Sequence, residues 1–208
     1  MISQLYSNQP MNIAIFGGSF NPVHLGHYEI VRQTQQLFNM SKIIVVPTYQ
    51  NPLKDSLPSV PEELRLKMLY LTFKSHKNVE ISDFELQKRK ISYTYQTLTY
   101  FKKQYSDHQL FLIMGEDAYS SFHLWAEADK ILKLSNILVF YRPGMKKSDT
   151  KSFSRESSEG VKWIKTIIPD ISASEIRQSS IATVKENCWL HPDAFEIWRE
   201  HKEHFPNN

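Results

Sequence analysis

Short apolar runs alternate with amphipathic stretches along most of the chain. The apolar runs are rich in β-branched and aromatic residues and are closed by glycine or proline, which is the pattern of buried strands. They lie at residues 12–16, 43–46, 110–114 and 137–141, with further candidates at residues 79–82 and 166–168. The pattern predicts a series of short strands, several of them buried on both faces.

Helical spacing fills the segments between these strands. Pro61 is followed by two glutamates, which predicts the start of a helix whose apolar face continues through Leu64, Met68 and Leu71. Other helices are predicted at residues 30–38, 98–105, 126–134 and 191–204, with one more starting at Ser172. Repeated strand–helix–strand units with apolar strands predict an α/β fold, in which a parallel sheet is covered on both faces.

Length and composition limit the class of protein. The chain has 208 residues, 41% of them hydrophobic, which is enough for one domain with its own core. The only cysteine, Cys188, excludes an internal disulfide framework and a multi-cysteine metal site. No apolar run reaches the roughly 18 residues of a membrane helix, and a net charge of +3 is too small to indicate a nucleic-acid partner. We expect a single cytoplasmic domain at residues 11–205, and a homo-oligomer is left open.

Two polar segments differ from the rest of the chain. Residues 1–10 precede a second methionine, Met11, and are predicted to be a flexible N-terminal extension. Residues 144–160 carry lysines, an arginine and serines with almost no apolar anchor, which predicts a mobile, solvated loop, with phosphate contact as the alternative. A helical part at residues 172–205 completes the predicted domain.

Candidate chemistry begins directly after the first strand, in the segment Gly-Gly-Ser-Phe-Asn-Pro-Val-His-Leu-Gly-His at residues 17–27. Its two leading glycines let the backbone approach a ligand and leave N–H groups free for phosphate oxygens. His24 and His27 are three positions apart at the start of the next helix, so their rings share one face. Because ligands of parallel sheets bind at the carboxyl ends of the strands, this segment predicts an anion site.

Other interpretations of this segment have less support. A Gly-Gly pair alone is also a common structural turn. A histidine pair could ligate zinc, but no H-E-x-x-H pattern or cysteine pair supplies further ligands. The segment also lacks the Gly-Lys-Ser/Thr of a Walker A loop and the G-x-G-x-x-G of hydride-transfer enzymes. No metal ligand is therefore predicted among the protein side chains.

A second phosphate candidate lies at residues 171–177, with the sequence Ile-Ser-Ala-Ser-Glu-Ile-Arg. Ser172 followed three positions later by Glu175 is a capping-box pattern, so Ser172 is the predicted N-cap. Helical side chains lean toward the N-terminus, so Arg177 can reach back over the first turn. Hydroxyls, amides and a guanidinium facing one ligand suit a polyphosphate, and a well-capped surface helix is the alternative.

Together, and in this order, the two segments resemble the nucleotidyltransferase superfamily with its H-x-G-H motif. Within it, the chain is similar to bacterial-type nicotinate-nucleotide adenylyltransferases over residues 11–205. The other segments that carry this resemblance are Asn-Pro-Leu-Lys at 51–54, Ser-Tyr-Thr-Tyr-Gln-Thr-Leu at 92–98, Gly-Glu-Asp at 115–117, Trp125 and Arg-Pro-Gly at 142–144. The resemblance implies a Rossmann-like, doubly wound parallel sheet with helices on both faces.

The resemblance also implies an activity, in which the phosphate of nicotinate mononucleotide attacks the α-phosphorus of ATP. The products are nicotinate adenine dinucleotide and pyrophosphate. A phosphate monoester has a second pKa of about 6, so this nucleophile is already an anion at neutral pH and needs no strong base. Positioning and charge cancellation are the remaining requirements. A nicotinamide-mononucleotide or dual-specificity enzyme is the first alternative; a pantetheine-phosphate adenylyltransferase and a non-catalytic nucleotide sensor have less support.

Individual roles are carried over only at matching positions. The resemblance implies catalytic roles for His24, His27 and Arg177, with Mg²⁺ carried by ATP. It implies ATP-binding roles for Gly17, Gly18, Ser19, Phe20, Lys54, Gly115, Asp117, Ile171, Ser172 and Ser174. Thr94 and Trp125 are expected to receive the mononucleotide, although core packing is an equally open role for Trp125.

Three positions depart from the usual bacterial pattern. Asn21 stands where most bacterial members have Asp, and Leu53 replaces a frequent His beside Lys54. Ser174 replaces a usual Thr and keeps the hydroxyl. The change at position 53 puts one contact on the substrate side in doubt.

Overall fold

The structure, a computed structural model, describes residues 11–54, 57–141, 160–165 and 167–205. Within these ranges six strands form one sheet in the order β3-β2-β1-β4-β5-β6, and every neighbouring pair is parallel. The strands are β1 Asn12–Gly18, β2 Met40–Pro47, β3 Val79–Ile81, β4 Gln109–Gly115, β5 Asn136–Phe140 and β6 Val161–Ile164. The predicted α/β fold, a Rossmann-like doubly wound parallel sheet, is confirmed.

Helices cover both faces of the sheet. They are α1 Leu25–Leu37, α2 Glu62–Phe73, α3 Phe84–Lys88, α4 Thr94–Gln104, α5 Glu116–Ser120, α6 Ala128–Leu134, α7 Ala173–Gln178, α8 Ile181–Glu186 and α9 Pro192–Glu200, with 3-10 turns at Phe122–Leu124 and Lys202–His204. Successive strand residues point to opposite faces, so Ala14 and Phe16 pack with α1, α2 and α9, whereas Ile13 and Ile15 pack with α4, α5 and α6. Two apolar cores result, one on each side.

The strand predicted at residues 166–168 is wrong. The last strand is β6, and Ile167 is 89% exposed and belongs to no strand. Residue 166 lies outside the described part. β6 is an edge strand, and it mixes the partly buried Val161 and Trp163 with the exposed Lys162. The sequence pattern did not predict β6, because a search for fully apolar runs finds only strands with a neighbour on each side, and an edge strand has one.

Helix predictions need smaller corrections. The helix predicted from residue 126 begins at Ala128, because Glu127 has a left-handed φ of 58° that ends any helix before it. In α2 the predicted Met68 is fully buried and the predicted Leu64 and Leu71 are partly buried, but the buried side also includes Arg65 and Leu69. Helices α3 and α5 were not predicted, since five residues are too few to show a periodic apolar repeat, and α8 was predicted only as part of the helical region at residues 172–205.

Two predicted segments lie outside the described residues. They are the N-terminal extension at 1–10 and the loop at 144–160, of which only Gly160 is described. Both predictions, and the single-domain boundaries that depend on them, stay predictions. Within the described ranges, no helix combines the length and the apolar character required to cross a membrane.

The order of the strands creates a crevice at one edge of the sheet. β1 and β4 are neighbours at its centre, yet the chain leaves β1 into α1 on one face and leaves β4 into α5 on the other face. The loops after these two strands therefore diverge and leave a gap at their carboxyl ends, which is where open parallel sheets bind ligands.

We predict that Trp198→Ala lowers the free energy of unfolding by about 3–5 kcal/mol, because a fully buried indole would leave a cavity. Trp198 is 0% exposed and packs against Phe195 and Phe205. Urea unfolding measures the change, with Leu37→Ala as the control at a side chain that is 55% exposed. Equal effects of the two substitutions would contradict the core assignment.

Candidate active site

A cavity of about 870 Å³ opens at the carboxyl ends of β1 and β4. Every residue that the sequence assigned to a site lines it. The assigned set is Gly17, Gly18, Ser19, Phe20, His24, His27, Lys54, Thr94, Gly115, Asp117, Trp125, Ile171, Ser172, Ser174 and Arg177. Residues from distant parts of the chain therefore meet in one place, as the sequence predicted, whereas their individual roles stay predictions.

The two histidines form a close pair at the start of α1. Their ring centroids are 3.7 Å apart, and the backbone N–H of His24 donates to Nδ1 of His27 over 3.2 Å. This contact places the proton of a neutral His27 on Nε2, the nitrogen on the other side of the ring. Gly26 is needed here, because a Cβ at that position would lie 2.9 Å from Nδ1 of His24.

The ring of Phe20 packs against the histidine pair, in contact with His27. Its backbone has a left-handed φ of 45°, which is unfavourable for a residue with a side chain. The ring is 2% exposed and makes edge contacts with Phe16 at 5.5 Å and with His27 at 4.9 Å. Packing thus holds the loop after β1 in a turn that brings this aromatic ring against His27.

Arg177 joins the second motif to the first. Its Nη1 donates to the carbonyl oxygen of Asn21 over 2.8 Å, and its Nη2 donates to Oγ of Ser174 over 3.1 Å. Oγ of Ser172 accepts from the backbone N–H of Glu175, which confirms the predicted N-cap of α7. Partial burial lowers the pKa of the Arg177 guanidinium from its ordinary value, because the lost hydration disfavours its charged form.

Two of the three residues that depart from the bacterial pattern form side-chain hydrogen bonds. Nδ2 of Asn21 donates to Oγ of Ser59 over 3.2 Å, and an Asp could keep this contact by accepting from the hydroxyl. Ser174 uses its hydroxyl toward Arg177, as a Thr could. Leu53 and Lys54 are both exposed at the rim of the cavity, where a side chain can move toward a ligand.

Gly115 and Asp117 lie at the end of β4. A Cβ at position 115 would lie only 2.5 Å from Oδ1 of Asp117, so glycine allows this carboxylate to fold back over the strand end. Asp117 is exposed in the first turn of α5 and lines the cavity. The arrangement presents a carboxylate acceptor opposite the loop that follows β1.

The far end of the cavity combines polar and aromatic groups. Thr94 begins α4, and Trp125 follows the 3-10 turn. The indole of Trp125 lies 5.6 Å from the ring of Phe122 and also lines the cavity, so it serves core packing and the cavity wall together. Oγ1 of Thr97 donates to Glu85 over 2.6 Å, and Glu85 is 6% exposed.

Comparison with known proteins identifies the family. Residues 15–179 match the Cytidylyltransferase-like family. The chain is 43% identical over 131 residues to a probable nicotinate-nucleotide adenylyltransferase of Aquifex aeolicus, an alignment that covers 63% of this chain and 77% of the relative. It is 31% identical over 188 residues to that of Clostridium botulinum strain Okra, covering 88% and 93%. The chain belongs to the nicotinate-nucleotide adenylyltransferase family. The resemblance seen in the motifs is therefore confirmed.

Solved structures of the adenylyltransferase family share this fold. Plasmodium falciparum nicotinic acid mononucleotide adenylyltransferase complexed with NaAD superposes with a TM-score of 0.75 at 21% identity and covers 93% of this chain and 97% of that chain. A putative nicotinate-nucleotide adenylyltransferase from Vibrio parahaemolyticus gives a TM-score of 0.67 at 18% identity, covering 94% and 96%. Both comparisons support the sheet order described above.

Sequence reasoning missed two buried charged residues of this adenylyltransferase family member. Arg65 lies behind the loop that follows β1, and Glu85 lies in the cavity wall. A signal for Arg65 existed, because it falls three and four positions before Met68 and Leu69 on the buried side of α2. Glu85 gives no comparable signal, since α3 is too short to define a face.

In the part of the chain that the structure describes, no group of three or more His, Cys, Asp or Glu side chains is arranged to hold a metal ion. The neighbours of the histidine pair of the H-x-G-H motif include the rings of Phe16 and Phe20 and a backbone N–H.

Burial raises the pKa of the Glu85 carboxyl above its ordinary value of 4.5, and hydrogen bonds from Thr97, Ser92 and Thr48 and the charge of Lys88 oppose the rise only in part. A raised pKa in the folded state stabilises the fold fully below about pH 4.5, and this contribution is lost as the pH rises through the folded pKa. We predict that the wild type loses stability relative to Glu85→Gln as the pH rises from about 4.5 through the folded pKa of Glu85.

Denaturant unfolding between pH 4 and pH 7 measures this difference, which amounts to about 1.4 kcal/mol for each unit between the folded and unfolded pKa. Glu63→Gln, at an exposed position of α2, is the control for removal of a carboxylate. A constant difference between wild type and Glu85→Gln across the range would show that the carboxyl is not perturbed.

Proposed function

We propose that the chain transfers AMP from ATP to nicotinate mononucleotide, giving nicotinate adenine dinucleotide and pyrophosphate in NAD biosynthesis. The observation that carries this proposal is the convergence of the H-x-G-H pair, the loop after β1 and Arg177 on one cavity. The identities of 31% and 43% to relatives of that name support the same activity.

The site supplies charge and geometry rather than a covalent nucleophile. The mononucleotide phosphate forms the new bond to the α-phosphorus of ATP, and the bond from the α-phosphorus to the bridging oxygen of pyrophosphate breaks. Because the attacking phosphate is already an anion near neutral pH, no side chain has to remove its proton. The requirement is in-line placement of two polyanions and cancellation of the charge that develops on pyrophosphate.

His24 and His27 are proposed to contact the phosphates that change bonding. With its Nδ1 held by backbone, His27 presents an Nε2 donor, and the packed ring of Phe20 fixes its direction. A preorganised donor of this kind costs little reorganisation when the charge develops.

The remaining assignments follow the walls of the cavity. Arg177 and Lys54 are proposed to bind the triphosphate, while Gly115 and Asp117 receive the ribose of ATP. Thr94 and Trp125 are proposed to receive the pyridine nucleotide, with the indole stacking on the ring. ATP is proposed to bring Mg²⁺ as its own complex, in which the ion reduces the charge on the phosphates.

A nicotinamide acceptor remains the alternative at this pyridine end. Glu85 lines the cavity here, and a carboxylate could accept from a nicotinamide amide but would repel the nicotinate carboxylate. The raised pKa of Glu85 favours its neutral form and so reduces that repulsion. Acceptor choice therefore has to be measured directly.

We predict that the purified chain releases pyrophosphate from MgATP with nicotinate mononucleotide at a kcat/KM at least about tenfold above that with nicotinamide mononucleotide. A coupled pyrophosphate assay measures both, with phosphopantetheine as a third acceptor, and chelation of Mg²⁺ with EDTA should abolish release. Equal rates with both pyridine nucleotides would indicate dual specificity. ATP binding without release from any acceptor would favour a nucleotide sensor and contradict the proposal.

We also predict that His27→Ala lowers kcat a few hundredfold, since loss of a preorganised donor to developing charge costs about 3–4 kcal/mol. The melting temperature should change by only a few degrees, because the ring lines a cavity rather than the core. His204→Ala, at an exposed position in the last 3-10 turn, is the matched control. Near-normal turnover in folded His27→Ala would remove the histidine from the proposed mechanism.

A further inference from the structure

Arg65 is a buried cation that the proposed mechanism has not used. It lies in the first turns of α2 and is 1% exposed, yet it does not line the cavity. Among the described residues no carboxylate forms an ion pair with it; the charge of Glu62 acts on it only at longer range. A buried charge without an ion-pair partner is costly, so its retention requires an explanation.

The contacts of Arg65 point to the loop that follows β1. Its Nη1 donates to the carbonyl oxygen of Ser19 over 2.9 Å and to that of Thr48 over 2.9 Å. Ser19 lies after β1 and Thr48 lies after β2, so one guanidinium ties together the ends of two adjacent strands. The Nε atom of Arg65 is buried and donates to no described group, so the charge is not fully compensated.

The hydrogen bond to Ser19 also sets the direction of the next peptide N–H. In a trans peptide the N–H points opposite to the C=O. The Ser19 carbonyl points toward Arg65, so the N–H of Phe20 points away from Arg65, and both Ser19 and Phe20 line the cavity. Within the described residues this N–H donates to no backbone group.

We infer that Arg65 is a positioning residue for the triphosphate of ATP: it turns the loop after β1 so that an N–H faces the phosphates, and the phosphates balance its buried charge. The inference rests on the proposed function in taking ATP as the ligand. Burial lowers the pKa of Arg65 to about 10, so the guanidinium is still protonated at neutral pH. Positive charge behind an anion-binding loop acts through a medium that screens it less than water does.

Arg65→Met tests the inference, because it keeps a long apolar stem and removes the charge and the donors. We expect the dissociation constant for inorganic tripolyphosphate and the KM for ATP to rise at least about tenfold, as loss of a charged hydrogen-bonding group predicts. The KM for the mononucleotide should change less than about threefold, because Arg65 contacts only the loops after β1 and β2. Arg199→Met, at an exposed arginine paired with Glu196, is the matched control and should leave all three constants unchanged.

Arg65→Lys provides a second measurement if Arg65→Met does not fold. It keeps a positive charge and should hold the tripolyphosphate dissociation constant within about fivefold of wild type at neutral pH. The pKa of a buried lysine falls more readily than that of a buried arginine, so a lysine at this position loses its charge at a lower pH. Binding to Arg65→Lys should therefore weaken as the pH rises toward 10, beyond any change in wild type.

Two results would overturn the inference. One is tripolyphosphate binding to folded Arg65→Met with the wild-type constant. The other is an Arg65→Lys variant whose binding shows no additional dependence on pH. Both results are dissociation constants for tripolyphosphate, so they do not depend on the outcome of the pyrophosphate-release assay with different acceptors. Loss of binding in Arg65→Met with no turnover in wild type would refute the proposed reaction and leave the role of Arg65 intact.

Discussion

The hydrogen bond from Arg177 to the carbonyl oxygen of Asn21 joins two motifs that are 156 positions apart in the chain. The two segments also share an apolar core, to which Phe20 and Ile176 both belong, and the hydrogen bond adds a polar link between groups that line the cavity. With it, the guanidinium is anchored on the same loop whose backbone faces the cavity. The remaining donors of Arg177 are then directed by a second contact to Ser174, so the cation is positioned before any ligand arrives.

This contact is possible only because of the sheet topology. β1 and β4 are adjacent at the centre, and the chain continues from them to opposite faces, which leaves the crevice open. α7 then follows the edge strand β6 and comes back to the loop after β1. The apolar cores on both faces hold these elements, so the polar groups at the carboxyl edge need no core of their own.

Much of this arrangement could be predicted from the sequence. Buried central strands are apolar on both faces, so β1, β2, β4 and β5 appear as uninterrupted runs. The residues of the two motifs could be placed because the two segments, in this order, resemble one family, whereas each segment alone also allowed a structural interpretation. β6 could not be found in this way, since this four-residue edge strand contains an exposed lysine and shows no uninterrupted apolar run.

Buried charges were harder to predict than buried apolar residues. In a sequence, Arg65 and Glu85 resemble the many charged residues on solvated helix faces, and only three-dimensional packing separates them. Their partners are mostly backbone carbonyls and hydroxyls, which no residue pattern records. Trp125 shows a related limit, because its side chain packs on Phe122 and also lines the cavity, and its role toward the mononucleotide stays a prediction.

Thr48 connects these two charged groups. Its carbonyl oxygen accepts from Arg65, its backbone N–H donates to the carbonyl oxygen of Gly18, and its hydroxyl interacts with Glu85. The loop after β1 and the cavity wall that holds Glu85 are therefore linked through one residue at the end of β2. Arg65 and Glu85 are thus held by groups that also line the cavity. The fold thus accepts the desolvation cost of the Arg65 charge at the place where its carbonyl partners line the cavity.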